Sequence, residues 1–163
     1  VPYAYYLIAL SYYQRISDFK RDQATTELAL ESLNQVITRF PSTDYAADAR
    51  LKVDLVYTNL AGSEIEIGRY YQNRKQFLAA INRFSGVVKN YQTTNFVPEA
   101  LYRLVESYLS LGLKEEAEKS AAVLGYNFPD SDWYKQSYKL IKGQAVSKEE
   151  DSSFISRVFG KLF

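Results

Sequence analysis

The chain has 163 residues with 20 basic and 19 acidic side chains, a net charge of +1, which argues against wrapping nucleic acid or a strongly acidic partner. It contains no cysteine, histidine or methionine, so disulfides, thiolate nucleophiles, imidazole bases and the usual zinc sites are all excluded. No apolar run approaches the ~20 residues needed to span a bilayer, and a start at Val1-Pro2-Tyr3 reads as a fragment or processed form, being neither an initiator Met nor a charged signal-peptide head.

The elements are punctuated by three helix-ending strings: Arg39-Phe40-Pro41-Ser42, Asn90-Tyr91-Gln92-Thr93 and Asn127-Phe128-Pro129-Asp130. Each places an aromatic before a stop, followed by Ser, Thr or Asp residues suited to cap the next helix. From these anchors the spacing predicts helices near 3 to 17, 24 to 40, 44 to 73, 76 to 91, 97 to 111, 115 to 128 and 132 to 142.

In the first pair, Ala29, Leu33 and Val36 stand 12, 8 and 5 residues before Pro41, but the matching Tyr13 stands 28 before it. The polar stretch from Asp18 to Gln23 is therefore assigned to an enlarged loop between paired helices. Tyr6 and Tyr13 are placed in the core. Tyr5 and Tyr12, each one residue earlier, are candidates for an outer or concave face open to a partner.

The third helix carries an apolar periodicity through Ala47, Leu51, Leu55, Ile65 and Tyr70, interrupted only weakly by Gly62 and Gly68. It reads as one long or kinked helix, because the interval from Pro41 to Gln92 is 51 residues against 37 from Gln92 to Pro129. The excess of 14 is about four helical turns.

The second and third pairs share one register. Tyr71 and Tyr108 lie 21 residues before their anchors, Ala80 and Ala117 lie 12 before, Phe84 and Ala121 lie 8 before, and Val87 and Leu124 lie 5 before. Gly68, 24 before its anchor, is expected to let two helices approach closely. A tyrosine, a small residue, an apolar stripe and a terminal stop at these offsets form the tetratricopeptide pattern. The fold class that follows is all-α, a tetratricopeptide-like solenoid of about three helix pairs with a capping helix.

In the cap, Trp133, Ser137, Leu140 and Ile141 are expected to face the stack and Lys135, Lys139 and Lys142 to face water. The domain reading is a solenoid over 1–142, with repeats at about 3–41, 61–92 and 98–129, a bridging helix at 44–60 and the cap at 132–142. A polar linker follows at 143–153. Residues 154–163 are an amphipathic segment in which Phe154, Ile155, Val158, Phe159, Leu162 and Phe163 share one helical face opposite Arg157 and Lys161. Helix is preferred to strand there, since the two cations occupy alternating sites where a barrel strand needs apolar residues. Phe154, Val158, Phe159 and Phe163 are candidate partner contacts. Docking on protein is favoured over a membrane surface, which two cations attract weakly.

Acidic pairs such as Glu64 with Glu66 and Glu115 with Glu116 lack a companion donor in an apolar pocket, so they read as helix-start or solubility residues rather than acid–base pairs. No catalytic residue, metal site or cofactor is expected.

The uneven spacing and several local strings resemble one particular family. The enlarged loop at 18 to 23, the helix through Asp44-Tyr45-Ala46-Ala47-Asp48-Ala49, the string Tyr70-Tyr71-Gln72-Asn73-Arg74 and the pair Asn82-Arg83 are similar to the carboxy-terminal three repeats of the BamD family. That family serves the machine that assembles β-barrels in the bacterial outer membrane. The resemblance implies a non-catalytic scaffold at the periplasmic face of the outer membrane, held there by an upstream lipid anchor absent from this sequence. It implies docking to the POTRA domains of the barrel protein BamA, with other lipoproteins of the complex as further partners. It also implies an interface role for Arg83, with Asn82, Arg74 and Tyr70 beside it. The family's amino-terminal repeats, implicated in receiving substrate, have no counterpart here. A periplasmic tetratricopeptide scaffold of envelope maintenance or cell division is the alternative, and the 51-residue interval counts against it.

Overall fold

In the computed structural model, residues 1–18 and 21–143 are described, and every element among them is a helix. The order is α1 (Pro2–Gln14), α2 (Gln23–Arg39), α3 (Asp44–Asn73), α4 (Phe77–Asn90), α5 (Val97–Ser110) and α6 (Lys114–Asn127), then α7 over 132–143. The all-α tetratricopeptide-like class is thereby established. The ends agree with the sequence reading to within about a turn; α1 closes earliest, and α7 runs one residue into the segment read as linker.

The three stop strings build the same turn three times. Phe40, Tyr91 and Phe128 each donate their N–H to the carbonyl of the residue four earlier, Val36 at 3.0 Å, Val87 at 3.0 Å and Leu124 at 2.8 Å. The carbonyls of those aromatics then accept the N–H of Thr43, Thr94 and Ser131, each at 3.1 Å. In the first two turns the threonine hydroxyl adds a bond to the same oxygen, at 2.7 and 2.8 Å. Carbonyls orphaned at a helix end are satisfied within a few residues, which is why these strings end helices so consistently.

The chain divides into two compact units. The first joins Val1–Ile67 to Gly86–Val97. Its core packs Ala9 of α1, Leu33 and Val36 of α2, and Ala49 and Val53 of α3, with Tyr5, Tyr6, Tyr13 and Tyr45 around them. Asp48 links two of these elements: its carboxylate accepts from the Tyr6 hydroxyl and from Lys52 Nζ at 2.8 Å. Both bonds hold the Asp48 carboxyl below the usual range, the lysine contributing most, and the same contacts push Lys52 and Tyr6 up. The enlarged loop is tied locally. Asp22 turns its carboxylate back to accept from Ser17 Oγ at 2.8 Å and from the N–H groups of Ser17 and Asp18, and these bonds lower its pKa.

The structure decides two points in this unit that the sequence leaves open. The stripe Ala47, Leu51 and Leu55 faces outward, with Leu51 64% and Leu55 52% exposed, while the buried face of α3 is Ala46, Ala49, Val53, Val56, Ala61 and Ile65. Both stripes have helical spacing, and the one of smaller side chains lies inside because close-packed helices accommodate alanine and valine more readily than leucine. Tyr5 is also not a free outer aromatic. Its hydroxyl accepts from Arg39 NH1 at 2.7 Å and its ring meets Phe40 at 5.6 Å.

The second unit joins Gly68–Ser85 to the described residues from Pro98 onward. Val105, Leu109, Ala117 and Ala121 form a core that Tyr108 and Ile141 cover. Phe84 is wholly buried, and Gly68 lies against its ring. In the cap helix, Ser137 is buried, Trp133 stacks on Tyr102 at 5.1 Å and Ile141 packs on the core as expected. Leu140 instead points outward, and Tyr134 takes the inward role by lying against Gly125.

Candidate functional site

Of the sequence-derived site residues, Tyr70, Arg74, Asn82 and Arg83 belong to the second unit. Tyr70 and Arg74 lie one turn apart at the end of α3, where the Arg74 guanidinium stands 4.8 Å from the Tyr70 ring centroid. Tyr70 is 54% exposed and meets Tyr71 edge-on at 5.6 Å. The pair is thus a cation held on an aromatic face, a geometry that orders a long side chain before any partner arrives. Asn82 and Arg83 lie about two turns into α4, Asn82 exposed and Arg83 half-buried. Leu78, one turn before Asn82, is 69% exposed. Phe154, Val158, Phe159 and Phe163 lie outside the described residues.

The turn between α3 and α4 is closed by Gln76 N–H on the Tyr71 carbonyl at 2.9 Å and Lys75 N–H on the Gln72 carbonyl at 2.9 Å. This is a Schellman motif, and it requires Lys75 to take a left-handed conformation, φ 59°.

A larger polar network escaped the sequence reading. Glu99, buried on α5, accepts from Arg69 of α3 through Nε at 2.8 Å and through a second guanidinium nitrogen. Arg103 reaches the same carboxylate at 3.4 Å and bonds Glu106 at 3.0 Å. Gln72 donates to Glu106 at 3.2 Å and to the buried Ser107 hydroxyl at 3.3 Å. The Tyr102 hydroxyl donates to Glu106 at 2.9 Å, while its ring stacks on Trp133. Burial, followed by that bond to Glu106, pushes the Tyr102 hydroxyl up to about 12. The signal was present as Glu99, Arg103 and Glu106 on one face of α5 and Arg69 and Gln72 on one face of α3. Only the packing of those helices distinguishes it from ordinary charged helix faces. Both carboxylates receive several donors, so the network fixes α5 against the end of α3, an arrangement suited to holding a surface in shape.

Among the described residues no helix is long and apolar enough to cross a membrane. The family described as outer membrane lipoprotein (YfiO) matches residues 1–124. The chain is 57% identical over 142 residues to the outer membrane protein assembly factor BamD of Rickettsia prowazekii, covering 87% of this chain and 57% of that protein. It is 55% identical over 144 residues to the BamD of Caulobacter vibrioides, covering 88% and 47%, and 34% identical over 119 residues to that of Neisseria meningitidis serogroup B, covering 73% and 45%. The chain therefore spans about half the length of these relatives. A match over most of its residues, on a tetratricopeptide-like helical fold, places it in the YfiO/BamD family of outer membrane lipoproteins.

Proposed function

We propose that the chain is a non-catalytic scaffold subunit of the outer membrane β-barrel assembly complex, acting at the periplasmic face of that membrane. In this reading it docks to the POTRA domains of BamA through Arg83, Asn82, Arg74 and Tyr70. The relatives' shared description as outer membrane protein assembly factors supports the assignment to that process. The observation that carries the docking surface is the exposed stack of Arg74 on Tyr70, an aromatic–arginine pairing of the kind that anchors protein interfaces. A planar guanidinium adds directional pairing with carboxylates, for Arg74 and for Arg83 alike.

The test is binding of the chain to isolated POTRA domains. Arg83→Glu is expected to weaken binding at least tenfold with circular dichroism and melting temperature nearly unchanged. Wild-type affinity in that variant would remove the docking surface from the proposal.

A further inference from the structure

The α3–α4 turn holds a lysine where its backbone favours glycine. The corresponding turn between α5 and α6 closes with the same bonds, Leu113 N–H on Tyr108 and Gly112 N–H on Leu109, and there the left-handed position is Gly112 at φ 76°. Glycine adopts that conformation without strain, whereas a side chain meets its own backbone. Lys75 adopts it nonetheless, and its side chain is exposed.

The surroundings give the ammonium a context. Between Glu66 and Glu99 the sequence has no acidic residue, yet it carries Arg69, Arg74, Lys75, Arg83 and Lys89. Arg69 is engaged by Glu99. Neither Arg74 nor Lys75 has an ion-pair partner among the described residues. Arg74 lies over the exposed ring of Tyr70, and the exposed Leu78 follows three residues after Lys75 in the chain. The turn is therefore a small cationic tip with an apolar margin, held in one backbone conformation.

We propose that Lys75 is a specificity residue of the docking surface, and that the tip formed by Tyr70, Arg74 and Lys75 takes an acidic polypeptide segment of the partner. Arg74 and Lys75 pair with carboxylates of that segment, and Tyr70 and Leu78 cover its aliphatic portions. This rests on the docking reading above and extends it to a residue that the reading does not include. A polypeptide is favoured over an anionic membrane because a tip with so few cations attracts a lipid surface weakly, whereas an arginine already ordered on a ring is prepared for a carboxylate at defined geometry.

The experiment compares Lys75→Gly, Lys75→Glu and Arg83→Glu with the wild-type chain, measuring affinity for the POTRA domains at low and high salt, thermal melting, and flotation with phosphatidylglycerol vesicles. Lys75→Gly is expected to raise the melting temperature and yet weaken binding about three- to tenfold at low salt, with the loss shrinking as salt rises. Lys75→Glu is expected to weaken binding further. If both Lys75 variants bind as wild type while Arg83→Glu does not, the inference fails and the docking surface stands. If Arg83→Glu also binds as wild type, both fail. Vesicle binding that is lost in Lys75→Glu while POTRA affinity is unchanged would assign the tip to lipid and overturn the proposal.

Discussion

Gly68 lies under the ring of Phe84, so close that a Cβ at position 68 would stand 2.4 Å from the ring's Cε1. Phe84 is fully buried and cannot move aside without disturbing the unit. Gly68→Ala is therefore expected to destabilise by roughly 1–3 kcal/mol through overpacking. Gly86, also helical, has nothing within 4 Å of where a Cβ would be. Gly86→Ala is expected to stabilise by about 0.5–1 kcal/mol through helix propensity. Urea denaturation of the two variants should move in opposite directions.

Gly68 was legible in the sequence because its offset from the Gln92 anchor repeats a packing position. Ala29, Ala80 and Ala117, and with them Leu33, Phe84, Val36, Val87 and Leu124, are all buried as their register requires. What the register does not encode is which of two apolar stripes on one helix lies inside: in α3 the larger Leu51 and Leu55 are exposed, while Ala49 and Val53 are buried. The charged network was missed for a similar reason. Glu99 and Arg69 are 30 residues apart, and no local spacing announces a contact of that separation. For the proposed docking surface, the strings Tyr70 to Arg74 and Asn82-Arg83 could be picked out; the left-handed backbone of Lys75 is marked only by the repeat register, Lys75 standing 17 residues before Gln92 as Gly112 stands 17 before Pro129.

Glu99 is the hub of the network and is almost wholly buried. Replacing it with leucine leaves Arg69 and Arg103 without their shared acceptor. Both arginines keep part of their exposure, 44% and 26% for their side chains, so the cost is smaller than for a fully buried pair. Glu99→Leu is expected to destabilise by roughly 1–3 kcal/mol. A double-mutant cycle with Arg69→Met should return a coupling energy clearly above that of an exposed pair.

The Tyr102 hydroxyl titrates at about 12 in the folded chain, against about 10 for an unfolded tyrosine. The folded value is raised, so the stability it contributes is complete below about pH 10 and is lost as pH climbs toward 12. Melting temperature should fall across that window, and Tyr102→Phe should flatten the fall. The variant should also lose roughly 0.5–1.5 kcal/mol at neutral pH with the bond to Glu106. Emission of Trp133, stacked on Tyr102 and the chain's one tryptophan, reports the loosening directly.

Asp48 presents the opposite sign. Lys52 and Tyr6 depress its carboxyl, so its contribution is present above the unfolded value near 3.9 and is lost as pH falls through the lower folded value. Its side chain is 41% exposed, which limits the effect to a few tenths of a kcal/mol, up to about 1. Asp48→Asn should lower stability at pH 7 by that amount and reduce the steepness of acid unfolding below about pH 4.

The short reach of the bonds that close the helical hairpins bears on how the chain folds. Ser17 finds Asp22 five residues away, and Gln76 and Leu113 each reach a carbonyl five residues back. Each connection can therefore be made from its own chain neighbourhood, with little loop-closure entropy to overcome before the flanking helices meet. Such locally closed helical hairpins belong to the fast-folding end of protein topologies. In a chain that emerges from its amino terminus, each hairpin can form as soon as its own two helices are out.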